Sequence, residues 1–301
     1  MGPVSRRTLI ASLGGLPLLA QDPVFRVDVK LVRMLVTVKN QMGQLAGGLS
    51  KSDFSITDNG VEQELALFER NTAQPLSVAL MVDTSRSTER ESRYEIDACH
   101  KFLSTLLHDG NTQDAAALYS FNWEVRLQTG FTRNLGRLSG GLARLKSEGA
   151  TALYDAIFLA ADEMEHRDGR RVVVVVSDGG DTISSTSFQK ALEMLHRANA
   201  VMYAVLTVPV KGDAGRNLRG ENALTTFTNW TGGKIFFPSE SAELRESFQQ
   251  ILKDLRTQYL LGYYPKNLPA TKDPFHKVRV AVNKPGYSVS ARNGYFAAPT
   301  P

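Results

Sequence analysis

Five oxygen-bearing side chains on three separate loops of this sequence have the types and spacing to hold a divalent cation. Asp83, Ser85 and Ser87 alternate in Asp83-Thr84-Ser85-Arg86-Ser87, directly after the apolar run 78–82. Thr151 lies in Gly149-Ala150-Thr151-Ala152-Leu153-Tyr154-Asp155, and Asp178 follows the apolar run 172–176 in Ser177-Asp178-Gly179-Gly180-Asp181. A hard cation such as Mg²⁺ takes about six oxygen ligands and normally retains several waters. Residues at i, i+2 and i+4 of a loop leaving a strand can turn alternate side chains toward one point. Asp83, Ser85 and Ser87 thus form one part of such a shell, Thr151 adds a hydroxyl and Asp178 a second carboxylate. Neutral hydroxyls dominate this set, which leaves the ion electrophilic and one position open for an Asp or Glu side chain of a partner protein. Mg²⁺ is the expected ion, with Mn²⁺ and Ca²⁺ as alternatives.

Taken singly, each ligand has a plainer reading. Ser85 and Ser87 suit helix capping, because Ser side chains accept from the free N–H groups of a helix start, and Asp178 ahead of Gly179-Gly180 suits a turn. Their joint occurrence in order favours the metal. Asp155 reads as a helix support and Asp181 as a rim residue. The rim also takes in Arg86, Trp123 in Asn122-Trp123-Glu124, and the basic positions Lys211, Arg216 and Arg219 of loop 209–220. For Trp123 the alternative is packing, and for the loop a solvated linker. Basic rim groups act on encounter rate more than on the anchoring bond.

For these loops to meet, the strands before them must share a sheet. The runs 78–82, 115–121, 172–176 and 201–208 are largely apolar, as in strands buried on both faces of a parallel sheet. Helical spacing appears in 89–107, 135–145, 153–166, 187–197, 221–230 and 242–257, while 125–127 and 234–237 read as short strands. This alternation over 75–257 predicts a doubly wound, mostly parallel α/β sheet, since right-handed crossovers place a helix between successive parallel strands. Such sheets bind ligands at the carboxyl ends of their strands. The flanks differ. Residues 25–38 alternate as one long strand, 53–57 and 61–68 bracket the hairpin signal Asp58-Asn59-Gly60, and 259–264, 277–282 and 287–291 return to strand patterns. Neither flank, 21–74 or 258–297, has strands enough to cover its own apolar face. The two are therefore expected to pair into a small β-sandwich-like module around the inserted α/β domain, ahead of a short tail, 298–301.

The chain of 301 residues is 42% hydrophobic and 22% charged, an ordinary globular composition. Its first twenty residues have a basic start ending in Arg6-Arg7, an apolar stretch 8–19 and then Ala20-Gln21, the layout of a signal peptide. Ser5-Arg6-Arg7-Thr8-Leu9-Ile10 resembles a twin-arginine leader. A Sec leader holding two arginines and an uncleaved anchor, which alone would bring membrane contact, are the alternatives. Removing Arg6 and Arg7 lowers the net charge from +4 to about +2, too little for a nucleic-acid footprint. Cys99 is the single cysteine, so no intrachain disulfide forms, and it reads as a small buried helix residue. His100, His108, His166, His196 and His276 show no i, i+4 pair, so zinc is not signalled.

With Asp83-x-Ser85-x-Ser87, Thr151 and Asp178 in place, the chain resembles von Willebrand factor type A (VWFA) domains with an intact metal-ion-dependent adhesion site. The resemblance implies a Rossmann-like fold and a protein ligand. The flanks resemble a narrower group, the exported VWFA-related proteins typical of Acidobacteria, through Leu49-Ser50-Lys51-Ser52-Asp53-Phe54, Asp58-Asn59-Gly60-Val61-Glu62-Gln63, Tyr259-Leu260-Leu261-Gly262-Tyr263 and Ala291-Arg292-Asn293-Gly294-Tyr295-Phe296. Two departures, Ala150 in place of a usual glycine and Arg86 at a variable position often held by glycine, remove no ligand. The sequence holds no nucleophile elbow, P-loop or dinucleotide fingerprint. The expectation is a non-enzymatic, metal-dependent protein-binding module of the periplasm, secreted space or cell envelope, with no nucleic acid or small-molecule substrate. A structural envelope protein with a stabilising metal and a metal-dependent hydrolase are the alternatives.

Overall fold

In a computed structural model, residues 31–70, 73–85, 92–207 and 217–297 are described. The leader and residues 21–30 lie outside them. The first strand, β1 (Val32–Asn40), buries Val32, Met34, Val36 and Val38 on one face. A 3-10 turn at Lys51–Asp53 leads into β2 (Phe54–Asp58), which forms a hairpin with β3 (Val61–Gln63). Asn59 and Gly60 both have positive φ, 47° and 84°, as that tight turn requires. The single strand expected over 61–68 is instead broken at Glu64. β4 (Leu65–Glu69) leaves β2 and joins a different sheet. In stacked sheets a long strand bends at the corner so that each half can bury its own face.

The central domain runs β5 (Leu76–Asp83), α1 (Ser92–His108), β6 (Ala115–Phe121), β7 (Val125–Thr132), α2 (Leu135–Leu142), α3 (Leu153–Glu165), β8 (Arg170–Ser177), α4 (Phe188–Arg197), β9 (Ala200–Leu206), α5 (Leu218–Thr231), β10 (Ile235–Phe236) and α6 (Ser241–Arg256). Its sheet has the order β10-β9-β8-β5-β6-β7, parallel except for the antiparallel edge pair β6–β7. Every residue of β5, β6 and β9 is buried. β5 shows why: Val78, Leu80 and Val82 pack against α1, α2 and α6, while Ala79 and Met81 pack against α3, α4 and α5. A strand with helices on both faces has no polar side to show. Cys99 is buried in α1, as expected. The chain moves outward from β5 to β6 and returns to β8 on the other side of β5, so the topological switch lies at the carboxyl ends of β5 and β8.

The last segment contributes β11 (Tyr259–Tyr263), β12 (Phe275–Val282), β13 (Tyr287–Ala291) and β14 (Gly294–Phe296), the last a three-residue strand with no sequence signal of its own. Two four-stranded sheets result, β13-β1-β11-β4 and β14-β12-β2-β3, interleaving strands from both flanks. Val36, Phe54, Ile56, Tyr259, Leu261 and Val278 share their core. A buried polar knot reinforces it: Asp58 accepts from the hydroxyls of Tyr263 and Tyr295, each at 2.9 Å, and lies 3.1 Å from Nδ1 of His276. The sandwich also docks on the α/β domain, through Lys39 on Asp254 at 2.9 Å and through His196 of α4 against Phe275 and Phe296.

Candidate functional site

Asp83 closes β5 and Ser177 closes β8, and because these strands pair in parallel the two residues arrive side by side. Ser177 Oγ donates to one Asp83 carboxylate oxygen at 2.6 Å, and the Ser85 N–H donates to the other at 2.8 Å. Asp83, Ser85 and Thr151 are buried, and Asp178, directly after Ser177, is half-buried. Burial pushes the Asp83 carboxyl up to about 6; hydrogen bonds from Ser177 and Ser85 oppose the shift, and the negative charge of Asp178 adds to it. A buried carboxyl whose ionisation is made costly by burial and by a neighbouring negative charge is the electrostatic setting that a divalent cation relieves.

The other loops are pinned to these by backbone bonds. Thr151 O accepts from the N–H groups of Thr182 (2.8 Å) and Ile183 (3.2 Å), and Thr182 Oγ1 accepts from Thr151 N–H at 2.9 Å. Thr151 is thereby fastened to the loop that carries Asp178. Ala152 N–H donates to Asn122 O at 2.7 Å, and Glu148 N–H to Thr84 O at 2.8 Å, which ties this loop to the ends of β6 and β5 as well. A Cβ placed on Gly180 would stand 3.2 Å from Asp178 Oδ1 and 4.0 Å from Thr151 Oγ1, so these two oxygens face a common space that glycine leaves open. Gly220, in the first turn of α5, packs backbone to backbone on Gly179, and a Cβ there would stand 1.7 Å from Gly179 O.

The donor chemistry fits a hard cation. Among the described residues no group of three or more His, Cys, Asp or Glu gathers as a metal nest, and the set expected here has only two carboxylates, with hydroxyls as the rest. Asp83, Ser85, Thr151 and Asp178 stand on interlocked loops at one sheet edge; Ser87 lies outside the described residues, as do Arg86, Lys211 and Arg216. Trp123 is exposed, with its ring beside Gly149. Arg219 is exposed in the first turn of α5, which begins at Leu218; the expected linker thus ends earlier, because Asn217 Oδ1 caps the helix by accepting from Gly220 N–H at 3.0 Å. Asp181 is half-buried. Its Oδ1 accepts from Ser184 Oγ at 2.5 Å and from the Tyr154 N–H at 3.2 Å, bracing the start of α3. Asp155 does the same in reverse, accepting from the N–H groups of Ser185 and Thr186. Sequence reasoning missed Ser177, Thr182, Asn122 and Gly220, whose roles arise only from contacts between distant segments.

A six-stranded, mostly parallel sheet with oxygen-rich loops at its switch point places the central domain among the doubly wound α/β folds. More narrowly, residues 78–181 match the von Willebrand factor type A domain. The solved von Willebrand factor domain of the type V pili tip protein Mfa5 from Porphyromonas gingivalis superposes with a TM-score of 0.50 at 11% identity, covering 67% of this chain and all of that one. An aerotolerance-related membrane protein from Bacteroides fragilis gives 0.46 at 17% identity, over 60% of this chain and 98% of that one. The PilB minor pilin from Streptococcus sanguinis gives 0.49 at 12%, over 62% of each chain. At such identities the likeness is one of fold. No curated protein matches the sequence.

Proposed function

We propose that the protein is an exported, metal-dependent protein-binding module of the cell envelope or secreted space, related to the VWFA proteins typical of Acidobacteria. Asp83, Ser85, Ser87, Thr151 and Asp178 would hold Mg²⁺, or Mn²⁺ or Ca²⁺ in its place, as an intact metal-ion-dependent adhesion site. The observation that carries this reading is the gathering of Asp83, Ser85, Thr151 and Asp178 on mutually bonded loops at the switch point of the sheet. When bound, the ion supplies a Lewis-acidic position for a carboxylate of a partner protein. The chain's own residues orient the site: Ser177 fixes the Asp83 carboxylate, Thr182 holds the Thr151 loop, and Gly220 lets α5 seat against the Asp178 loop. The match of 78–181 to a domain typical of protein–protein interaction and adhesion supports a binding role over catalysis.

The test is thermal melting of the full chain with Mg²⁺, Mn²⁺, Ca²⁺ or EDTA, joined to capture of envelope proteins under the same conditions. An ion bound only by the native state at a hundredfold excess over its Kd stabilises by about 2.7 kcal/mol. Asp83→Ala and Asp178→Ala should abolish that increment and the metal-dependent capture. An increment that survives in both variants would remove the site assignment, and capture that is equal in EDTA would reduce the metal to a structural role.

A further inference from the structure

Three large apolar side chains stand exposed on the segments that build the candidate metal centre. Trp123 is 53% exposed, Ile183 46% and Leu218 61%. Each is tied to a ligand-bearing loop by a short path. The Trp123 ring lies against Gly149, where a Cβ would be 2.5 Å from its Cδ1, two residues before Thr151. Ile183 donates its own N–H to Thr151 O at 3.2 Å. Leu218 follows Asn217, whose Nδ2 stands 3.6 Å from the Cβ position of Gly180, in the loop of Asp178. A single exposed hydrophobic residue is ordinary on a protein surface, whereas several on neighbouring loops around one polar centre form a recognition surface. Arg219, exposed beside Leu218, adds positive charge to the same rim.

We infer that Trp123, Ile183 and Leu218 form an apolar collar around the metal centre, and that it selects an extended protein segment whose Asp or Glu is flanked by large apolar side chains. This rests on the metal-dependent binding reading above and adds the partner's neighbouring residues to it. The ion, when bound, and Arg219 would select the carboxylate, and the collar gives the flanking side chains a surface to cover. A central polar anchor surrounded by contacts that exclude water is the arrangement in which a few residues dominate binding. Covering about half of one such side chain is worth on the order of tenfold in affinity.

The test uses the full chain in a Trp230→Phe background, so that Trp123 is the only fluorophore of its type, with saturating Mg²⁺ and three synthetic peptides: Gly-Phe-Asp-Leu-Gly, Gly-Ser-Asp-Ser-Gly and Gly-Phe-Asn-Leu-Gly. The first should bind at least tenfold more tightly than the second and shift Trp123 emission to the blue, and the third should lose the metal-dependent component. Ile183→Ser and Leu218→Ser should each weaken the first peptide by roughly tenfold while leaving the Mg²⁺-induced rise in melting temperature intact. Equal binding of the first two peptides, no binding of any, or serine variants that bind as the parent does would each overturn the collar while the metal response stands. A blue shift produced by phosphatidylglycerol vesicles alone, without peptide selectivity, would overturn it in favour of a lipid surface. Failure of the underlying metal reading shows separately, as a melting temperature that Mg²⁺ does not change.

Discussion

His196 gives a sharp prediction about how the two parts of the molecule hold together. The ring lies on α4, is 4% exposed, and packs against Phe275 and Phe296 of the sandwich with centroid distances of 5.2 and 6.4 Å. Among the described residues neither ring nitrogen finds a hydrogen-bond partner of normal geometry. Burial, and secondarily the charge of Arg292, lower its pKa from 6.5 to about 4, with the nearby Gly294 backbone offsetting part of the shift. The folded protein therefore keeps this histidine neutral, whereas the unfolded chain protonates it as pH falls through 6.5. Stability from this group is full above about 6.5, is lost progressively as pH drops toward 4, and changes no further below that. At 1.36 kcal/mol per pH unit the whole loss is about 3 kcal/mol, most of it reached by pH 4.5. His196→Phe removes the titration and retains the aromatic packing, so at pH 7.5 it should be neutral or slightly stabilising. Urea unfolding of parent and variant at pH 7.5 and 4.5 isolates the term, because other titrating groups, Asp83 among them, are common to both. A variant that loses as much stability as the parent between those pH values would refute the reasoning.

Asp58→Ala should cost roughly 3 kcal/mol or more, because it strands the hydroxyls of Tyr263 and Tyr295 and the ring of His276 in one step, and Asp58→Asn should cost less. Urea midpoints compare the two, and equal, small effects would mean that the knot is dispensable. Gly220→Ala should destabilise by roughly 2–3 kcal/mol through the clash with Gly179 and also blunt the Mg²⁺ response, since it displaces the Asp178 loop; an unchanged melting curve with and without metal would contradict this. Truncation after Thr257 removes β11 and β12, which lie inside the two sheets, so limited proteolysis should digest 31–70 while sparing 75–257. Protection of 31–70 in the truncated chain would show that the N-terminal flank folds without its C-terminal counterpart.

The sequence by itself determined the elements whose signals are local. A strand with helices on both faces must be apolar throughout, so β5, β6, β8 and β9 are written as continuous hydrophobic runs. A tight hairpin needs positive φ at successive positions, and Asn59-Gly60 announces it. Hydroxyls and carboxylates following such strands pointed to the sheet edge where Asp83, Ser85, Thr151 and Asp178 stand. Tertiary structure alone decided the rest. The hydrogen bond from Ser177 to Asp83 joins residues 94 positions apart. The break at Glu64 follows from two stacked sheets that a single-strand pattern does not encode. Asp181, whose residue type suited a rim position, also braces the start of α3 by accepting from Ser184 and the Tyr154 N–H. Gly220 is glycine because another backbone lies where its Cβ would be. Local patterns record what a residue requires of its own backbone and solvent exposure, and long-range partners leave no such mark, because many side chains satisfy the local requirement and only the assembled fold selects which one touches which.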